Sequence, residues 1–380
     1  MHWTLLLPGA LVPAPVVPEI ARSDRAPSLT RALRRATVRE DEASALAGDL
    51  ALQLAWGARE FGAIAPAVAG NDLQINASAP QAWRALGGSA KPAVAKTTNA
   101  EPWFCDPVHF ALMRDHVVLH ALDRDRITDA EADELVQAAA DVALRHGATI
   151  TRSGDQWFVL LPADWEISAL PLASALGLAI QDRLPDGPAA PGWRKLLTSI
   201  QMRWHEHPVN VARSARGQLV VNGLWLHGGG EERPLPRSRF AAAVLRDPTL
   251  RGWAYGAGVR VAGDAAGLGP EVRAGGNVLE EWNDLFEPAR AEHWGLWLER
   301  LAELDARFAA RVDAAFAHGC SRIDVILCGE ERVRCARIAR ADRWRAWRHH
   351  PMAAVLVDSA PPAASEAAGE APPKAADAAG

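Results

Sequence analysis

The stretch that most constrains this chain runs from residue 291 to 327. Trp294, Trp297, Leu298, Leu301, Leu304, Phe308, Val312 and Phe316 recur at spacings of three and four, which sets them along one stripe of a helix. Gly319 follows as a stop, Ile323–Leu327 then reads as a short apolar strand, and Glu331–Ile338 is a candidate hairpin partner for it. A helix with one long apolar stripe must bury it, and an apolar strand next in sequence is the partner that a layered α/β fold supplies. The same alternation recurs elsewhere. Trp3–Leu7 is a first buried strand, a Pro-rich loop and helical segments over 28–65 follow it, and Leu219–Leu226 is a strand ending at Gly228-Gly229-Gly230. We therefore expect an α/β protein whose mostly parallel sheet is flanked by helices. Trp3–Leu7, Leu219–Leu226 and Ile323–Leu327 should share that sheet, with helix 291–318 packed on it.

A second unit interrupts this pattern. His116–Leu122 has strand character, Thr128 with Glu131 forms a capping box, and Gly147 ends the helix that follows. Two further strands should close a hairpin around Ser153-Gly154-Asp155. This β-α-β-β unit predicts a small α+β subdomain with Val118, Leu135, Val142, Trp157 and Val159 in its core. The expected organisation is a first part of the α/β core over 1–99, an inserted subdomain over 100–190 and a second part of the core over 191–358. A tail over 359–380, rich in Ala and Pro, should be disordered. Residues 66–101 read as a long loop or junction, and Gly192 to about Glu206 as a helix.

Composition excludes several function classes. A net charge of −5 provides no global basic field for nucleic acid or a membrane surface. Lys91, Lys96, Lys195 and Lys374 are the only lysines among 41 cationic residues, so arginine richness is a general bias of this chain and not a sign of anion binding. The Arg-rich run over 332–348, interleaved with Trp344 and Trp347, is read as an amphipathic terminal helix with a solvated face. The N-terminus lacks a basic region and is broken by Pro8, Pro13, Pro15 and Pro18, which favours a buried strand over a signal peptide. No run of apolar residues is long enough to cross a membrane. Cys105, Cys320, Cys328 and Cys335 form no CxxC pair and read as buried thiols, so a cytoplasmic location is expected.

No complete catalytic motif is present: there is no GxSxG, and Gly228–Gly230 leads into Glu231-Glu232 where a phosphate loop needs Lys and Ser or Thr. Asp106, His109, Asp115, His116 and His120 are close in sequence but lack established metal spacing, which favours ordinary hydrogen-bonded roles. The candidate ligand site is the polar block His207, Asn210, Arg213, Arg216, Asn222 and His227 with Gly228 and Gly229. Its two guanidiniums could fork onto a carboxylate or phosphate in a cleft between the sheet and the subdomain. The competing reading is that these groups satisfy one another and the local backbone.

Residues 207–236, HPVNVARSARGQLVVNGLWLHGGGEERPLP, resemble a block of the archaeal-type cofactor-independent phosphoglycerate mutases. The segments TLLLPG, DPVHFALMRDHVVL and QMRWHEHPVN and the terminal helix are similar to bacterial proteins labelled regulatory protein RpfE, a likeness running over nearly all of 1–352. The resemblance implies an alkaline phosphatase-like fold, in which active members bind two metal ions through Asp and His at strand ends and activate a Ser or Thr. Here Pro8 and Gly9 stand where Asp-Gly is expected, Cys328 and Gly329 where Asp-His is expected, and Asp284, His293 and Asp305 only echo a DxxxH motif. The expectation is a non-catalytic regulatory or small-anion-binding protein without metal or cofactor, whose partner is a small anionic metabolite or another protein. An active metal-dependent phosphomutase or phosphatase is the alternative.

Overall fold

The computed structural model describes residues 1–64, 75–88, 100–122, 127–344 and 352–358. The strands are β1 His2–Leu7, β2 Thr37–Glu40, β3 Ala100–Leu112, β4 Val117–His120, β5 Thr149–Ser153, β6 Gln156–Pro162, β7 Gly223–His227, β8 Ala242–Val244, β9 Arg260–Val261, β10 Val278–Glu281, β11 Arg322–Cys328 and β12 Val333–Ala339. The helices are α1 Val17–Ser23, α2 Pro27–Arg35, α3 Leu52–Glu60, α4 Ala79–Ala85, α5 Asp129–Arg145, α6 Leu172–Ala175, α7 Ala190–His205, α8 Pro208–Ala215, α9 Pro248–Gly256, α10 Gly269–Arg273, α11 Phe286–Arg290, α12 Trp294–Ala317 and α13 Met352–Leu356. None is both long and apolar enough to cross a membrane.

Strand alternation organises the larger sheet, whose order is β2-β12-β11-β1-β10-β8-β9. Its five central and right-hand strands, β11 to β9, pair in parallel, and β12 and β2 add an antiparallel edge. Trp3, Leu5 and Leu7 point to one face, against α2, α12 and α13, while Leu6 points to the other, against α3 and α9. Helix α12 behaves as its stripe predicts: Trp297, Leu301, Leu304 and Phe308 are buried against Leu5, Leu7 and Val325. The mixed α/β class is thus established, with a mostly parallel sheet between helices.

One strand sits elsewhere. The expected strand over 219–226 is shortened to β7, and it does not join the parallel sheet. It pairs antiparallel with β3, in a second sheet of order β4-β3-β6-β5. The correction has a physical cause. β3 is 13 residues long, and residues 104–108 offer an edge that β7 fills over its whole length. Helices α5 and α7 cover one face of this sheet, where Leu135, Val142, Trp157 and Val159 meet Trp193 and Trp204. Val118 is only half-buried, and its neighbour Leu119 takes the inward position, in the core shared with α3 and α9. The opposite face packs Phe104 and Phe158 on α4.

Local signals also account for two elements that periodicity did not reveal. Helix α8 starts where His207 Nδ1 accepts from Val209 N and Pro208 occupies the first turn. Strand β2 lies within the stretch expected to be helical, and its burial is slight. The capping box is present as predicted: Thr128 Oγ1 accepts from Glu131 N, and the Glu131 carboxylate accepts from Thr128 N. All four cysteines are buried free thiols. The end of the Arg-rich run, the tail over 359–380 and most of the loop expected over 66–101 lie outside the described residues. Within the run, β12 forms as the hairpin partner expected for β11 and displaces the start of the helix expected over 332–348; Arg332 and Arg334 both pair with Glu40 while Arg337 pairs with Asp324.

Candidate functional site

The polar block divides into two groups at opposite ends of β7. At the α8 end, Asn210 donates to the carbonyls of Trp204 and Val221 and accepts from Val221 N, which closes the chain between α7 and β7. Arg213 is fully buried; its Nε donates to Leu219 O and its Nη1 meets Glu131 at 3.1 Å. Arg216 reaches the other oxygen of the same carboxylate at 2.6 Å. Asn222 exchanges two hydrogen bonds with the backbone of Phe110. The remaining member, His207, is the α8 cap. At the far end stand His227, Gly228, whose carbonyl accepts from Ser78 N and Ala79 N, and Gly229, which backs onto Trp103. The structure thus brings Asn210, Arg213, Arg216 and Asn222 together as a brace between α5, α8 and β3, and leaves His227 to a different cluster.

That second cluster borders a cleft of about 960 Å³ between the two sheets, lined by Asp106, Gln156, Arg246, Arg251, Glu281 and Asn283 among others. His227 Nε2 lies 2.7 Å from Asp106 Oδ2, and its Nδ1 lies 3.4 Å from Thr249 Oγ1. Asp247 caps α9 through the amides of Thr249 and Leu250, and Glu281 accepts from the amides of Arg246 and Asp247. Burial raises both carboxyls, and the nearby Asp247 adds to the rise at Glu281, which reaches about 7. The order Thr249, His227, Asp106 matches the roles of a hydroxyl, a base and an orienting carboxylate. The direction is reversed, however: Asp106 faces the cleft and Thr249 is enclosed. All three groups are buried, and they form a buried polar chain.

The strand ends that would hold metals in the implied family are closed by the chain itself. Gly9 follows β1 at φ +72°, and a β-carbon there would stand 2.5 Å from Leu285 O, while its own carbonyl accepts from Trp297 Nε1. Cys328 ends β11 fully buried, with its thiol pushed well up by burial. Asp305 caps α2 through Ser28 N and Leu29 N, Asp284 pairs with Arg307, and His293 precedes α12. Among the described residues no three His, Cys, Asp or Glu side chains are placed to hold an ion. The residues present do not fit the two-metal centre.

Beside these strand ends lies a pocket of about 310 Å³, walled by α3, α6, α11 and the turns after β1 and β11. The sequence reading did not single it out, because its groups come from distant segments. Arg183 and Arg290 both line it, and both donate to Ser174 O at 3.3 Å. Arg290 also reaches Leu176 O at 3.2 Å and Glu330 at 3.4 Å. Burial, with Arg183 close by, lowers the Arg290 guanidinium from its ordinary value, but a guanidinium stays charged near neutrality. The first turn of α3 also opens here. Ala51 N donates to Ser174 Oγ at 2.9 Å, while the Leu52 and Gln53 amides have no helical carbonyl to bond. Gln53 is 97% buried and lines the pocket. Ser174 is the only hydroxyl among the lining residues, and no histidine or lysine accompanies it.

No known protein family matches the sequence, and no curated protein does. Among solved structures, the chain is similar to the PH0037 protein of Pyrococcus horikoshii at 12% identity and a TM-score of 0.49, over 93% of this chain and 91% of that one. It is also similar to a cofactor-independent phosphoglycerate mutase of Thermoplasma acidophilum at 15% identity and a TM-score of 0.33, over 90% and 89%.

Proposed function

We propose that this chain is a non-catalytic protein that binds a small anion, a phosphate or carboxylate, without a metal, and serves a regulatory role through that binding. The observation that carries the reading is the 310 Å³ pocket, whose lining brings Arg183, Arg290, Gln53 and the first residues of α3 together, with Asp49 and Glu330 as the carboxylates at its wall. Two guanidiniums supply charge and paired donors, and a helix N-terminus adds unpaired N–H groups and the positive end of its dipole. Catalysis has no comparable support. The lone hydroxyl among the lining residues, on Ser174, already accepts from Ala51 N and has no histidine or lysine beside it.

The test is a thermal shift titration with inorganic phosphate and with citrate, in excess chelator. Phosphate should raise the melting temperature of the wild type, and Arg183→Ala or Arg290→Ala should remove the shift. A shift that appears only with added zinc or manganese, accompanied by hydrolysis of a phosphomonoester, would establish the active-enzyme alternative.

A further inference from the structure

The turn after β11 already holds an anion of the chain's own making. The Asp358 carboxylate accepts from Glu330 N at 2.6 Å, from Arg332 N at 3.0 Å and from Glu331 N at 3.2 Å. Three successive amides converging on one carboxylate form a nest of the kind that binds free anions. Gly329 makes room for it: a β-carbon there would stand 2.2 Å from Asp358 Oδ1. Asp358 is carried by the segment 352–358, which enters through α13. Val355 and Leu356 are buried in the core, Arg334 donates to the carbonyls of Ala354 and Val355, and Val357 bridges to Val12.

This nest shares a wall with the anion pocket. Gly329 and Glu330 line that pocket, and the Glu330 amide that binds Asp358 belongs to the residue whose carboxylate reaches Arg290 at 3.4 Å. Docking of Asp358 therefore does two things. It places one negative charge behind the pocket wall, and it fixes Glu330 where it draws on Arg290. Both oppose a second anion at Arg290.

We propose that the amides of 330–332 are a carboxylate-binding subsite contiguous with the pocket, that Asp358 of the C-terminal segment is its resident ligand, and that docking of this segment and binding of a small anion are mutually antagonistic. This rests on the anion-binding reading above. By linkage, whatever the docked segment costs the anion, the bound anion costs the segment.

Isothermal titration of the full chain with inorganic phosphate, in chelator, tests the antagonism. Asp358→Asn keeps the side-chain shape and removes the charge, and it should tighten phosphate binding roughly threefold or more. Glu330→Gln touches no backbone contact and should act in the same direction, which keeps the test decisive if Asp358→Asn folds poorly. Hydrogen exchange supplies the reciprocal readout: saturating phosphate should speed exchange of the Glu330, Glu331 and Arg332 amides in the wild type. Phosphate that binds the wild type with unchanged or weaker affinity in both variants, or that slows exchange at 330–332, overturns the antagonism while leaving the anion site standing. Phosphate that binds none of the three proteins overturns the anion-binding reading itself, and the antagonism with it.

Discussion

Arg213 and Arg290 show how one side chain type serves opposite ends. Arg213 is fully buried between Leu219 O and Glu131, so its truncation removes both bonds and leaves a void behind α8. Arg213→Ala should therefore lower stability by roughly 2–4 kcal/mol in urea unfolding and leave phosphate binding unaffected in whatever remains folded. Arg290 lines the pocket and its contacts there, at 3.2–3.4 Å, are all long, so its loss should remove phosphate binding. The sequence placed polar groups in the 205–230 block but did not show which of them turn inward to the backbone. That depends on partners such as Glu131 and Phe110, which are about 80 and 110 residues away in the chain. Glu281 offers a pH test. Its folded value of about 7 stands above the ordinary 4.5, so the folded state holds the proton longer than the unfolded chain. Stability is then greatest while the carboxyl is neutral and falls as pH rises through about 7. Glu281→Gln keeps the acceptor for Arg246 N and Asp247 N and should be more stable than wild type at pH 8 by roughly 1–3 kcal/mol, a gain that shrinks as pH falls and vanishes below the ordinary 4.5. Equal stability of wild type and variant across this range would show that burial is not raising this group.

At the scale of elements, periodicity and caps were informative wherever an element carries its own signal. Helix α12 has its stripe, and α5 has the Thr128 capping box. Thr128→Ala should cost about 1 kcal/mol, measured as a shift in the unfolding midpoint, because Glu131 N then loses its acceptor. Strand β7 was legible as a strand but its partner was not. An apolar run of five residues suits a parallel core and an antiparallel edge equally well, and only the length of β3 decides between them. Helix α8 escaped notice because its apolar side is short, although Pro208 after His207 marked its start. The turn at Gly9 is an element-scale constraint with a sharp consequence. With φ +72° and Leu285 O in the way of a β-carbon, Gly9→Ala should destabilise by roughly 2 kcal/mol or more, read from the melting temperature.

At the scale of the molecule, the large cleft and the small pocket among the described residues differ in kind. The large cleft between the two sheets is walled by carboxylates and arginines that are mostly paired with each other, such as Arg251 with Asp155 and Arg152 with Asp129. The small pocket at the ends of β1 and β11 gathers donors from α3, α11 and the chain around Arg183. The alternation of strands and helices was enough to anticipate the parallel sheet. The pocket was not, because Gln53, Arg183 and Arg290 have nothing in common until the fold assembles them. The central claim is that these groups hold an anion with no metal between them. Calorimetric titration of phosphate into chelator-treated wild type and Arg183→Ala/Arg290→Ala measures it directly. Saturable one-to-one binding to the wild type, absent from the double variant and unchanged by added manganese, is the expected result. Binding that survives loss of both arginines, or that requires the metal, would contradict it.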